Sequence, residues 1–538
     1  MSVFGDRKNN SALQKIGIVG GASAAILGLL ALKYPDRAIF DEHREGIPCQ
    51  PGYPLVGGLP TIVRYKEKMH DLFMTGFELT GALTTTTSAL GIPRSIITIN
   101  PKNVEHILKG ILSTAIFSRK LTTHHKISAI DNFSNYVKGP QLDGATQELF
   151  GHGIFNANGE QWKYQRKTAS LVFNVKNFRD DFSRVFIKEI EYMSKNIFDK
   201  ACAEGTPVDF HDIMFKFTLD SFILLGFGVE LNALASKEKV PFAASFDICQ
   251  MNSFQRFVNP AWRITEALQK VLLPWKMSIQ DHLNVVDSFA NEVIDRRRAQ
   301  MENGEIHTDL LSRFMNASNQ FGEPLNNKEL RDMILNFVIA GRDTTAQALS
   351  WTFYNLCNNP RTEYKLLKEI REHITDEMEN DPVVLYEAIK NMTYAHAVLY
   401  EVLRLHPSVP NNQKYALNDD IWPDGTQIKK GDYVMWSPWA QGRNEQVWKN
   451  AKQFQPERWI AEDGSLRRES QGQWPAFHGG PRVCLGQNLA TLEAIIAIIF
   501  FVKHYEFTIV PGQDVTYQVS LTLPMKNGMN VYVNKRSG

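Results

Sequence analysis

Between about residues 100 and 400, apolar residues recur at three- and four-residue intervals, the spacing that gathers them on one side of a helix. That stretch predicts a largely helical body. Alternating patterns are fewer, and predict strands at Arg94 to Ile99, Thr426 to Met435 and Val515 to Val533, the last with Asn527 and Gly528 as hairpin-turn residues. Asn326 to Asn358 is a long helical pattern capped by Asn326, with Glu329 three positions on and its end before Pro360. Leu485 to Phe500 also reads as a helix. The sum is a mainly α protein with a smaller β-rich region, an α+β organisation.

Ile16 to Leu32 is an uncharged run of 17 residues. As a helix it spans roughly 26 Å, close to the ~27 Å hydrocarbon of the endoplasmic-reticulum bilayer. A single-pass transmembrane anchor is expected, with a cleaved signal peptide as the rival reading. Arg7, Lys8 and Lys15 before the run balance Lys33, Arg37 and Arg44 after it, so flanking charge leaves orientation open. Gly17 and Gly21 have the spacing of a helix-pairing motif, although small residues merely tolerated by lipid are the plainer explanation. Pro48, Pro51, Pro54 and Pro60 then rule out continuous helix and suggest a stiff hinge. The expected division is a tail over 1–15, an anchor over 16–32, a linker and proline-rich hinge over 33–60, and one catalytic domain over 61–538.

A hydrophobic content of 43 % supports a large core. The 59 basic residues against 58 acidic ones point to neither nucleic acid nor any strongly charged partner. Five scattered cysteines argue against a disulfide framework and for a catalytic part facing a reducing compartment.

Chemistry concentrates in FHGGPRVCLGQNLA, Phe477 to Ala490. Gly479 and Gly480 permit a tight turn beside a flat ligand, Gly486 allows close approach on the other side, and Arg482 can neutralise a carboxylate. Cys484 stands before a helical pattern, whose dipole favours a thiolate able to bind a metal ion. Taken alone, a cysteine is more often an inert small hydrophobe. In the middle of the Asn326 to Asn358 pattern, Ala340, Gly341, Arg342, Asp343, Thr344 and Thr345 place poor helix formers where alanine or leucine is expected, a local conflict that suggests function. Gly341 leaves room for a flat cofactor or small gas molecule, and a threonine hydroxyl can bond the carbonyl one turn back. Glu401 and Arg404 share a helical face, as do Trp162 and Arg166.

The Cys484 string resembles the FxxGxRxCxG loop of the cytochrome P450 haem-thiolate family, with Phe477, Gly480, Arg482, Cys484 and Gly486 matching. Ala340 to Thr345 resembles its AGxDTT signature, Glu401 and Arg404 its ExxR element, Pro456, Glu457 and Arg458 its PERF element, and Trp162 with Arg166 its WxxxR helix. The resemblance covers roughly residues 45 to 535.

It implies the cytochrome P450 fold, with Cys484 as axial ligand of the iron of haem b. Thr344 then hydrogen-bonds dioxygen, Asp343 takes part in relaying protons, and Ala340 and Gly341 lie against the cofactor. Trp162, Arg166 and Arg482 serve the propionates, while Glu401, Arg404 and Arg458 form a buried charge network that shapes the haem site. Many relatives carry an arginine after Pro410; here Lys414 stands in NNQKYAL, and its contact with a propionate stays open. The resemblance also implies a cytosolic catalytic domain on the endoplasmic-reticulum membrane. Electrons come from NADPH through a separate reductase, with cytochrome b5 as a further partner.

Gly151 to Ser170, Phe254 to Pro260, Leu417 to Thr426 and Ser520 to Met529 resemble fatty-acid ω-hydroxylases of plants and fungal alkane hydroxylases. The implied substrate is a long apolar chain, a fatty acid oxidised at or near its ω end, with Phe337, Ile339, Val409, Leu521 and Leu523 as pocket residues. Pro524 stands where a bulkier residue is expected. A sterol or xenobiotic hydroxylase is the alternative within the family; a haem-thiolate isomerase and a non-enzymatic haem protein are alternatives outside it.

Overall fold

The computed structural model describes residues 19, 22–109, 132–172 and 181–536. The Asn326 pattern is helical as expected, and Asn326 and Glu329 close a reciprocal capping box that starts the helix Asn327–Val338. At Ile339–Asp343 the ladder widens into a π-turn before resuming as Thr344–Asn358. Thr344 Oγ1 donates to the Ala340 carbonyl at 2.7 Å, the back-bonding expected of its hydroxyl at this disturbed turn.

Around this central rod pack the helices Phe210–Phe227, Thr393–Leu405 and Gln487–His504, sharing one large apolar core. Gln487–His504 is buried on nearly every face, which is why it reads as apolar all round. It is also, among the described residues, the one helix long and apolar enough to cross a membrane; two-thirds buried, it is a core helix. Ala22–Lys33 is a shorter, exposed apolar helix. Gly17 and Gly21, with most of the first five positions of the expected anchor, lie outside the described residues.

The main sheet orders its strands β1 (Thr84–Thr86), β2 (Ser95–Thr98), β8 (Tyr433–Trp436), β5 (Asn412–Ala416) and β3 (Tyr136–Val137). Only the β2–β8 pairing is parallel. The expected strand Thr426 to Met435 is in fact two, β7 (Gln427–Ile428) and β8, because Gly431 turns the chain between them at φ +93°. Of Val515 to Val533, only β10 (Asn530–Lys535) is regular, pairing with β9 (Tyr505–Ile509) and β4 (Val208–Asp209). The hairpin folds at 520–523 rather than at Asn527–Gly528, with Tyr517 bridging Met525. Gly528 instead relieves a clash, since a Cβ there would meet the Asp209 carboxylate.

Candidate functional site

The Cys484 loop is clamped from both ends. Cys484 N donates to Phe477 O at 2.9 Å, and Gly480, at φ +59°, sits where a Cβ would collide with the Leu108 carbonyl. The following helix begins at Gln487, three residues beyond the cysteine, with Gly486 as its cap. Cys484 keeps an exposed surface within an otherwise dense surrounding. Burial pushes its thiol pKa up, opposed by the Gly486 amide and the Arg166 charge. The favourable helix N-terminus expected at Cys484 thus meets an opposing effect, since desolvation holds the proton on the free thiol, and a metal ion that coordinates the sulfur would displace it. Across the core helix, Ala340, Gly341 and Thr344 are half-buried while Arg342, Asp343 and Thr345 are buried.

Around the loop lies a cluster of cations. Arg482 spends its guanidinium on Ala157 O at 2.7 Å and on Asn158 Oδ1 at 3.3 Å, packs 4.7 Å over Trp162, and leaves Nε buried without a partner. Arg166 lies 5.9 Å from the same indole. Continuing the β3–β5 register brings Lys138 opposite Lys414, the latter only 3 % exposed. Like charges in that position repel. Burial, then neighbouring cations, lower Lys138 to about 7, Lys414 well below a normal lysine, and Arg482 to about 10. Among the described residues no carboxylate bears on any of these groups, and Cys484 is the one acidic group that bears on Arg166. Four clustered cations, Lys414 buried and Lys138, Arg166 and Arg482 half-buried, without a carboxylate partner among the described residues, fit a ligand carrying two carboxylates, as haem does.

That fit carries a testable consequence. With the anion absent the cluster is self-repelling, so Lys414→Met should raise the melting temperature of the haem-free protein while weakening haem retention. The haem-free wild type should also gain stability as pH rises from about 7 towards 10, because the unfolded chain then holds the Lys138 proton that the folded chain has lost. Thermal melts of haem-free samples and haem transfer to apomyoglobin measure both effects.

Asp343, 2 % exposed, is held by Gln250 Nε2 at 2.7 Å and Arg342 Nη1 at 3.1 Å. Burial pushes its carboxyl up to about 6, against the pull of Arg342. Arg342 in turn pairs at 2.6 Å with Asp247, whose side chain is 46 % exposed. On the other side, Ser408 Oγ donates to Thr344 O at 2.8 Å, tying 408–411 to the π-turn. Gly341 is also required by packing, since a Cβ there would meet the Phe222 ring, while the residue itself stays half-buried.

Glu401, fully buried, accepts both Nε and Nη2 of Arg404 at 2.8 and 2.7 Å, Arg458 Nε at 3.0 Å and Trp459 Nε1 at 3.0 Å. Arg404 also serves the carbonyls of Gly442, Ala451 and Gln453. Aromatic contacts then run Trp459 to Trp474 to Phe477, joining this network to the cysteine loop.

A cavity of about 390 Å³ opens beside the Met69–Thr80 helix and reaches Pro410, Asn411 and Leu521. Of the expected pocket residues it takes Leu521 alone. Phe337 packs on Phe314, Ile339 is buried, and Leu523 is drawn into the core, its backbone bonded to Gln347 and Trp351; Val409 is half-buried next to the wall. Sequence reasoning missed Lys138, Asp247 and Gln250, which carry no local signature.

A family model described as cytochrome P450 matches residues 113–529. Cytochrome P450 704B1 of Arabidopsis thaliana is 33 % identical across 92 % of this chain and 97 % of its own length. Cytochrome P450 86B1 of the same plant is 34 % identical across 82 % and 78 %. Cytochrome P450 monooxygenase cyp1 of Mycosarcoma maydis is 32 % identical across 94 % and 78 %.

Proposed function

The chain belongs to the cytochrome P450 family and is a haem-dependent monooxygenase; from that premise we propose that it hydroxylates a long apolar chain, a fatty acid at or near its ω end. The carrying observation is the mostly apolar cavity that abuts the 408–411 segment, itself bonded to Thr344. Burial there favours an alkyl chain by ~0.8 kcal/mol per CH₂.

In this reading Cys484 ligates the iron, and Arg166, Arg482, Lys138 and Lys414 hold the propionates against Trp162. Haem, when bound, supplies oxygen activation and C–H oxidation. The chain's own residues exclude water and handle protons. Asp343 would hold and release a proton at its carboxyl, positioned by Gln250 and Arg342, while Arg342 also pairs with the half-exposed Asp247. Thr344 offers its hydroxyl from the π-turn, exchanging its bond to Ala340 O for one to a bound ligand. Asp343→Asn should lower turnover by about 10² to 10⁴-fold, the usual worth of a positioned acid. It should also remove a limb near pH 6 from the pH dependence of kcat. An unchanged profile would assign Asp343 a structural role only.

Electrons reach the haem from a redox partner; an NADPH cytochrome P450 reductase, with cytochrome b5, is the proposed source. We assign residues 16–32 to a single-pass endoplasmic-reticulum anchor, 1–15 to a tail, 33–60 to the connecting segment and 61–538 to the cytosolic catalytic domain. The amphipathic helix Trp262–Leu272 supports membrane contact, with Ile264, Leu268 and Val271 exposed and Trp275 following.

Incubation with reductase, NADPH and fatty acids of graded length, followed by mass spectrometry, tests the reaction. Terminal hydroxy acids are expected; their absence at every length overturns the substrate assignment.

A further inference from the structure

Ser470 follows two arginines, in the order Arg467, Arg468, Glu469, Ser470, and Arg467, Arg468 and Ser470 are all exposed. Arg467 N donates to Trp459 O at 2.7 Å, and from there to Ser470 the backbone belongs to no helix or strand. The Arg467 side chain is 59 % exposed and meets Glu469 at 2.8 Å, a surface pair worth little. Beyond Ser470 the chain closes a turn against the cysteine loop. Ser470 Oγ accepts from Gln473 N at 3.1 Å, and Ser470 O from Trp474 N at 2.9 Å. Within that turn Gln471 Oε1 accepts from Gly480 N at 3.0 Å, and Gly472 O accepts from Gln441 Nε2 at 2.6 Å. Trp474 then packs on Phe477 with ring centroids 5.8 Å apart. An exposed hydroxyl thus caps the turn that holds Gly480 and Phe477, both in the loop that presents Cys484.

We propose that Ser470 is a phosphorylation site for an arginine-directed serine kinase, and that the phosphate steadies the cysteine loop through the turn 470–474. Guanidiniums two and three positions ahead of the hydroxyl suit a kinase whose substrate cleft is lined with carboxylates, since each can pair bidentately there. In the transfer, Ser470 Oγ attacks the γ-phosphorus of ATP and the bond from that phosphorus to the β-phosphate oxygen breaks. ADP leaves, and the hydroxyl proton passes to the catalytic aspartate of the kinase. The product carries about −1.5 to −2 charges at the place where Ser470 Oγ meets the Gln473 amide. A charged acceptor makes a bond roughly twice as strong as a hydroxyl does, so the turn, and with it the Gln471 contact to Gly480, opens less often.

Incubating the haem-loaded protein with ATP and the catalytic subunit of cyclic-AMP-dependent protein kinase, then mapping phosphate by mass spectrometry, tests the site. Nearly complete modification of Ser470 is expected, slowed about tenfold or more when Arg467→Gln and Arg468→Gln are combined in a variant checked for the thiolate spectrum. Phosphate found only at other positions, or a rate at Ser470 that ignores the two arginines, overturns the site. The phosphorylated protein should also lose haem to apomyoglobin about fivefold more slowly than the untreated protein. Ser470→Ala, treated in the same way, should show no such slowing. Haem loss that is unchanged or faster on phosphorylation, or slowed equally in Ser470→Ala, overturns the coupling to the cysteine loop.

Discussion

Cys484→Ala should abolish hydroxylation to background and remove the red-shifted Soret band that thiolate-ligated haem gives with carbon monoxide. The Cys484 side chain is exposed and is not part of the apolar core, so its removal costs little fold stability. Haem-free wild type and variant should melt within about 0.5 kcal/mol of each other, as substitutions away from packed features do. What disappears is the one soft donor placed by Phe477 O, Gly480 and the Gly486 cap. The surrounding cations would still attract a dicarboxylate, so weak haem binding without the thiolate spectrum is the expected residue. Hydroxylation that persists in this variant would refute the assignment of the metal ligand.

Arg404→Ala should be more damaging to the fold itself. It strips a fully buried Glu401 of its two-bond partner and leaves the carbonyls of Gly442, Ala451 and Gln453 short of a donor. Breaking a buried pair from one side costs about 3–5 kcal/mol, a large part of the ~5–15 kcal/mol that holds a typical protein folded. Because Trp459 hangs on Glu401 and leads through Trp474 to Phe477, the disturbance reaches the cysteine loop. Low soluble yield and almost no haem are expected on expression. Arg404→Lys should recover part of both, since it keeps the charge but not the planar fork. Near-normal haem incorporation in Arg404→Ala would refute the network's role.

Local chemistry is legible in the sequence. The Asn326–Glu329 capping box, the disturbed turn around Gly341 and the Thr344 back-bond each follow from residue types within one or two turns. Where the reading fell short, a distant element intervened. Gly341 carries a packing requirement invisible locally, because Phe222, over a hundred positions earlier, occupies the space a Cβ would need. Leu523 looked like pocket wall, but Gln347 and Trp351 draw its backbone into the core. The helix dipole at Cys484 suggested a thiolate, a reading that depends on burial no sequence pattern reveals.

The sequence by itself determined the elements that depend on neighbours along the chain: the helical body, the long interrupted helix, the cysteine loop and the paired Glu401 and Arg404. Only the tertiary structure decided which charges meet. Strand pairing set Lys138 against Lys414, and helix packing joined Asp343 to Gln250 and, through Arg342, to Asp247. Those contacts depend on distances between residues far apart in sequence, and an isolated ionisable side chain carries no mark of the partner that will shift its proton.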